Sequence, residues 1–185
     1  MKAPRLVLCP DDPYWAPPDD KRLDHYLQSI QLSGQPLSQS MHFLPGQRFL
    51  DLIASMGCSP AINLQPGEDN DPFVYICIQT PAKTIEFHRG DHTHTPRCRA
   101  CRSPVDDWQS RINTWLQGDA ASLWECSTCH WRASPWSFNW RKSAGFGRCF
   151  IEITNIFPKE ALPQTSLLDT LHAYYGVKWH YFYQN

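Results

Sequence analysis

The feature that most constrains this chain is a repeated cysteine spacing. Cys98-Arg99-Ala100-Cys101 and Cys126-Ser127-Thr128-Cys129 are two C-x2-C pairs separated by 24 residues. Two residues between cysteines make a tight turn that aims both sulfurs at one point. Its backbone amides are then free to hydrogen-bond the thiolates. Two such turns supply four sulfurs at ~2.3 Å in a tetrahedron, which zinc accepts without redox chemistry. Thiolates also select against magnesium and calcium, which take oxygen ligands. The two turns must meet, so the chain between them has to close into a lobe.

That intervening chain has its own signature. Ser103-Pro104-Val105-Asp106 reads as a helix start, with Ser as cap, Pro in the first turn and an acid three residues on. Trp108, Ile112, Trp115 and Leu116 then fall on one helical face, and Gly118 ends it. Residues 96–131, about a fifth of the chain, resemble a zinc ribbon. The departure is the helix, where a simple ribbon carries a hairpin. The chain as a whole resembles bacterial zinc-ribbon proteins of similar size, which implies no particular activity. Zn2+ bound by Cys98, Cys101, Cys126 and Cys129 has no vacant position for water or substrate, so the expected role is structural. Arg97, Arg99, Arg102 and Arg132 flank the turns and offset the charge of a four-thiolate centre. An iron–sulfur cluster would use the same four sulfurs. A single C-x2-C can be redox-active, though such motifs usually stand alone between a strand and a helix.

The 185 residues as a whole are 42% hydrophobic and 19% charged, enough apolar matter for a core without disulfides. Residues 6–9, 41–44, 61–64, 73–78, 84–88, 149–156 and 178–183 read as strands. Helices are expected from Asp19 or Asp20 through Leu23, Leu27 and Ile30 to Gly34, and over 47–56 and 166–175. Phe43-Leu44-Pro45, Phe49-Leu50-Asp51 and Gly57 echo Ile156-Phe157-Pro158, Leu167-Leu168-Asp169 and Gly176. Two such β-α-β units around one sheet would resemble a ferredoxin-like plait. The expected class is α+β, a mixed or antiparallel sheet with an inserted four-cysteine zinc lobe. The divisions are an N-terminal arm and helix over 1–34, a core of 35–90 with 145–185, and a lobe over 91–144.

Charge is unevenly spread. Net charge is −1, yet residues 89–148 hold nine basic and five acidic side chains, against eight and thirteen elsewhere. A basic middle on an acidic body points weakly to an anionic partner. Six of the eight tryptophans lie between Trp108 and Trp140. Trp136, Phe138 and Trp140 alternate and read as a strand with one aromatic face, which docks on the core or meets a partner. Arg99, Arg102, Arg132, Trp136, Trp140 and Arg141 are the candidate partner-binding residues. The expectation is a non-enzymatic, zinc-stabilised adaptor for a macromolecule, protein ahead of nucleic acid because the chain is near neutral.

The rival reading is an enzyme using His88, His92 and His94, or Cys58, on the core. His92-Thr93-His94 lacks a full ligand set in sequence, and ordinary loop histidines explain it more simply. His130 beside Cys129 is a spare ligand. Gly145-Phe146-Gly147 reads as a turn, lacking the lysine of a phosphate loop. No run approaches the ~20 apolar residues of a membrane span, and residues 1–10 do not read as a signal peptide. The default compartment is the reducing cytoplasm.

Overall fold

A computed structural model describes residues 3–19, 21–39, 41–56, 62–67, 71–79, 81–118 and 122–184. In chain order its elements are β1 (Arg5–Pro10), α1 (Leu23–Ser29), β2 (Ser33–Pro36), β3 (His42–Pro45), α2 (Phe49–Leu52), β4 (Ile53–Ser55), β5 (Ile76–Ile78) and β6 (Glu86–Arg89). Then come α3 (Trp108–Leu116), β7 (Trp124–Glu125), β8 (Arg132–Ala133), β9 (Ala144–Gly147), β10 (Ile151–Thr154), β11 (Ala161–Pro163), α4 (Thr165–Tyr175) and β12 (Trp179–Gln184). The class is α+β. No helix among the described residues is long and apolar enough to cross a membrane.

The main sheet has six strands in the order β12-β1-β10-β5-β3-β2, every neighbouring pair antiparallel. β1 is central and buried from Leu6 to Pro10, which explains its unbroken Leu-Val-Leu-Cys run. Its alternate residues serve two faces. Leu6 and Leu8 join Ile76, Ile78, Ile151 and Ile153, and this face is covered by Leu23 and Leu27 of α1 and Leu167 and Leu171 of α4. Val7 and Cys9 point the other way, toward Phe150 and Phe182. The chain passes from β1 to β5 through α1, β2, β3, α2 and β4, and from β10 to β12 through β11 and α4. In both cases one antiparallel strand lies between the strands so linked.

The second face is covered by β9, which pairs with β6 and packs over β1 and β12. Gly145 in β9 permits this approach: a Cβ there would meet Phe182 Cδ1 at 2.7 Å. Glu152, on the same face of β10, is 1% exposed. It is paired with Arg5, accepts from Gln79 Nε2 at 2.7 Å and lies 3.6 Å from His88 Nδ1. His88 also stacks on Phe150 at 3.9 Å. β6 and β9 are thus fastened to the sheet by a buried carboxylate as well as by apolar contact. A second buried cluster lies beyond them, built from Val105, Trp108, Ile112, Trp115, Trp124, Phe138, Trp140 and Phe146 around Cys98 and Cys126.

Several expectations need correction. The helix over 47–56 is only α2, because Ile53 to Ser55 pair with β11 in a separate two-stranded sheet. The echoed unit built on β3 and α2 therefore leaves the main sheet. α1, not α2, is the helix that shares a face with α4. α1 itself starts after Arg22, whose guanidinium holds Asp24, and it ends before Gly34, which lies in β2. Ser103 does not cap α3. Its carbonyl accepts from the Cys98 amide, so the helix begins later, after Asp107. Residues 135–137 form a 3-10 turn rather than a strand, with the Trp140 indole donating to the Pro135 carbonyl at 3.0 Å. Gly145 and Gly147 are strand residues, not a turn. Ile76 to Ile78 are the laddered part of the expected 73–78 strand, and residues 62–64 are not a strand. Asp20, Gly57, Cys58 and Ala61 lie outside the described residues.

Candidate metal centre

Each cysteine pair sits in a turn with the same hydrogen bonds. In the first, the Arg102 amide donates to the Cys98 carbonyl and the Cys98 amide to the Ser103 carbonyl, both at 2.9 Å. In the second, the His130 amide donates to the Cys126 carbonyl and the Cys126 amide to the Trp131 carbonyl, again at 2.9 Å. Arg102 (φ 64°) and His130 (φ 59°) hold the left-handed position that closes each turn. That position favours glycine, which is why neither turn is fully legible in the sequence. Short strands β7 and β8 flank the second turn, while α3 packs Trp108, Ile112 and Trp115 into the cluster beside it.

The four sulfurs converge. Cys98 Sγ lies 3.7 Å from Cys129 Sγ, Cys101 Sγ lies 3.6 Å from Cys126 Sγ, and all four are within 4.8 Å of one another. A regular tetrahedron around an ion at ~2.3 Å has edges of about 3.8 Å. The geometry therefore suits one thiolate-bound metal ion. These cysteines are free thiols rather than disulfides.

The electrostatics agree. Hydrogen bonds from the Ser103 side chain and backbone pull the Cys101 thiol down to about 6. The backbone at Cys129 and Thr128 lowers Cys126. At Cys129 the Trp131 amide favours the thiolate, but desolvation and the sulfurs of Cys101, Cys126 and Cys98 outweigh it and push the thiol up to about 12. Like charges crowded this closely cannot all ionise alone. A divalent cation removes that penalty, so the donor set is one that a metal completes.

A cleft of about 640 Å³ opens beside the centre, between this lobe and β12. Arg99, Trp131, Trp136, Arg141, Lys142 and Tyr181 are among its walls. A second recess of about 640 Å³ shares Arg99, Asn139 and Arg141 with it, and adds Arg97, Cys98 and Arg102. The candidate binding residues divide accordingly. Arg99, Arg102 and Arg141 come together, joined by Arg97. Trp136 is half-buried at the cleft wall, and Trp140 is a buried wall residue whose indole is already bonded. Arg132 stands apart, paired with Glu125 at 2.5 Å.

The histidines of the rival site do not assemble. His88 is committed to Glu152 and Glu86, and His92 and His94 are exposed. Among the described residues, the four cysteines are the one group of three or more potential ligands within reach of a single ion. His130 bonds Glu125 at 2.9 Å, not the metal centre.

Sequence reasoning missed one constellation. Cys9 and His180 are cross-strand partners of β1 and β12. Cys9 Sγ lies 3.1 Å from His180 Nε2, and His180 Nδ1 lies 2.7 Å from Asp11 Oδ1. This is the order of a nucleophile, a base and its orienting carboxylate. Cys9 is fully buried, however, and desolvation holds its thiol well above the ordinary value. Asp11 is lowered by its hydrogen bond to His180. The register that joins residues 171 apart leaves no local pattern in sequence.

Comparison with known proteins returns no match: no family model fits the sequence, and no curated protein and no solved structure is similar to it.

Proposed function

We propose that Cys98, Cys101, Cys126 and Cys129 hold a structural Zn2+ and that the protein is a non-enzymatic binding module for another protein. Four sulfurs fill a tetrahedral sphere and leave no position for a reactant. The ion then serves to fold a lobe that presents a binding surface. Free thiols around such an ion suit a reducing, cytoplasmic setting. The four strands β12-β1-β10-β5, with α1 and α4 on one face, are read as a ferredoxin-like plait. The lobe over 91–144 is carried by a core of 35–90 with 145–185, into which β1 and α1 of residues 1–34 are built as a central strand and a covering helix rather than a separate arm.

The observation that carries the binding reading is the cleft beside the centre. Its walls join Arg99 and Arg141 to Trp131, Trp136 and Tyr181. Arg, Trp and Tyr are the side chains that dominate protein-interface energetics when they line a desolvated pocket. The partner side is expected to be acidic, since Arg99, Arg141 and Lys142 face Asp11 as the cleft's one carboxylate. The test is capture from the native host with intact protein, an Arg99→Glu, Arg141→Glu variant and an Arg132→Glu variant, each with its zinc content measured. A partner held by intact protein and by Arg132→Glu, and lost from the double variant at unchanged zinc content, supports the cleft. Equal capture by all three removes it.

A second reading as an enzyme is favoured by the Cys9, His180 and Asp11 geometry. It requires a thiol that reagents can reach. Iodoacetamide labelling of the native, zinc-loaded protein decides this: labelling of Cys9 faster than in the denatured chain supports the enzyme, and protection of Cys9 supports a buried structural thiol.

A further inference from the structure

We propose that the recess beside the first cysteine turn binds a phosphate monoester carried by the protein partner, with the flanking peptide lying in the aromatic cleft. This rests on the reading of that cleft as a protein-binding surface. The recess is lined by Arg97, Cys98, Arg99, Arg102, Asn139 and Arg141, so four arginines share one recess with no carboxylate among its lining residues. All four arginines are exposed, and none makes a side-chain ion pair among the described residues. Elsewhere on the protein Arg5, Arg22, Arg48, Arg111 and Arg132 are each matched to a carboxylate, while Arg89 lies over the Trp108 ring and Arg148 donates to the Ala82 and Tyr14 carbonyls.

The arrangement is built rather than incidental. Arg97 and Asn139 exchange backbone hydrogen bonds at 3.0 and 2.8 Å, which fixes the first cysteine turn against residues 139–142. Asn139 Oδ1 accepts from the Arg141 amide at 2.9 Å. Arg141 and Lys142 then occupy consecutive left-handed positions, φ 54° and 57°. Each is a conformation that non-glycine residues seldom adopt. The Lys142 carbonyl accepts from the Tyr183 amide at 3.0 Å, anchoring this strained corner to β12. The corner thus brings Arg141 to the same recess as Arg97, Arg99 and Arg102.

A charge count selects the ligand. A divalent ion with four thiolates is a dianion, and it neutralises two of the four guanidiniums. The remaining two positive charges match a phosphate monoester, which carries about −1.5 to −2 near neutrality. Guanidinium forks also fit phosphate oxygens in paired hydrogen bonds. A nucleic-acid strand fits less well. It calls for a basic track along its length, whereas here the cations gather at one point on a body with eight basic and thirteen acidic residues outside 89–148.

The experiment uses the full, zinc-loaded chain immobilised against a pooled 11-residue peptide library with a fixed central phosphoserine. Parallel arms use the same library with central serine, a mixed-sequence single-stranded oligonucleotide and inorganic phosphate as competitor. At least tenfold greater retention of the phosphoserine pool over the serine pool is expected. Millimolar phosphate should reduce it, Arg99→Gln with Arg141→Gln should abolish it at unchanged zinc content, and Arg132→Gln should leave it intact. Equal retention of the two pools, stronger retention of the oligonucleotide, equal loss in Arg132→Gln, or no retention of any probe overturns the inference. If the phosphate preference is absent but capture of a host protein still depends on Arg99 and Arg141, this inference alone fails and the binding cleft stands.

Discussion

Gly145→Ala probes how β9 lies over the main sheet, and so how the four-cysteine lobe is held beside the cleft. A methyl at this position would meet Phe182 Cδ1 at 2.7 Å and Cζ at 2.9 Å. Carbon atoms in contact prefer about 3.5–4.0 Å, so the methyl and the ring must part by roughly 1 Å. Phe182 has no room to give, being fully buried against Phe150 with the ring centroids 6.4 Å apart. Overpacking of this kind costs about 1–3 kcal/mol. An opposing gain of about 0.4–1 kcal/mol comes from stiffening the unfolded chain, since Gly145 has no positive φ to preserve. The clash wins, leaving a net loss of about 1–2 kcal/mol. For a chain of this size that lowers Tm by about 2–8 °C. Thermal and urea unfolding of Gly145→Ala, Phe182→Leu and the double variant form a cycle. In Phe182→Leu the ring atoms that obstruct the methyl are gone, so the second substitution should cost at least about 1 kcal/mol less than it does in the native background. Additivity within about 0.5 kcal/mol, or a Gly145→Ala protein more stable than the parent, would refute the packing argument.

Three further outcomes are expected. Metal analysis should find one ion per chain. Its removal by a chelator should unfold the lobe and shift emission from the six tryptophans between 108 and 140 to longer wavelength; an unchanged spectrum after complete removal would contradict a structural ion. Glu152→Gln should cost about 3 kcal/mol at neutral pH, because Arg5 and His88 lose a buried partner. Despite desolvation, the His88 and Arg5 contacts lower the Glu152 carboxyl below its ordinary value. Its contribution is therefore complete above the unfolded value near 4.5 and fades as pH falls through the depressed folded value. The native protein should lose stability in that acid window more steeply than Glu152→Gln, and parallel pH profiles would count against the network. Gly176 closes α4 at φ 73°, and a methyl on its Cα would have no atom within 4 Å, so Gly176→Ala should cost about 1 kcal/mol from backbone strain alone; urea midpoints within error of each other would show the left-handed cap to be dispensable.

How much could be read from the chain alone varies with the range of the interactions. The four clustered cysteines were legible because each turn is local and a C-x2-C spacing aims both sulfurs of a pair at one point. α3 and α4 were legible for the same reason: Trp108, Ile112 and Trp115, or Leu167 and Leu171, are spaced by the helix itself. Where neighbours far along the chain compete for a residue, local pattern misled. Ser103 looks like a helix cap, but its carbonyl is taken by Cys98. Ile53 lies in a helical pattern, but pairs with Pro163. The alternation of Trp136, Phe138 and Trp140 suggests a strand, but the turn at Pro135 and the indole bond of Trp140 organise it differently.

Residue type and short-range spacing pointed to the four-cysteine cluster, the α+β class and the basic, tryptophan-rich character of residues 89–148. Strand order, the pairing of Cys9 with His180, the burial of Glu152 beneath His88 and the convergence of Arg97, Arg99, Arg102 and Arg141 came from the assembled molecule. The physical reason is that hydrogen-bonding turns and helical periodicity act over a few residues and leave a mark in the local sequence. Sheet register and charge clustering instead depend on which distant segments come into contact, and such contacts leave no local pattern.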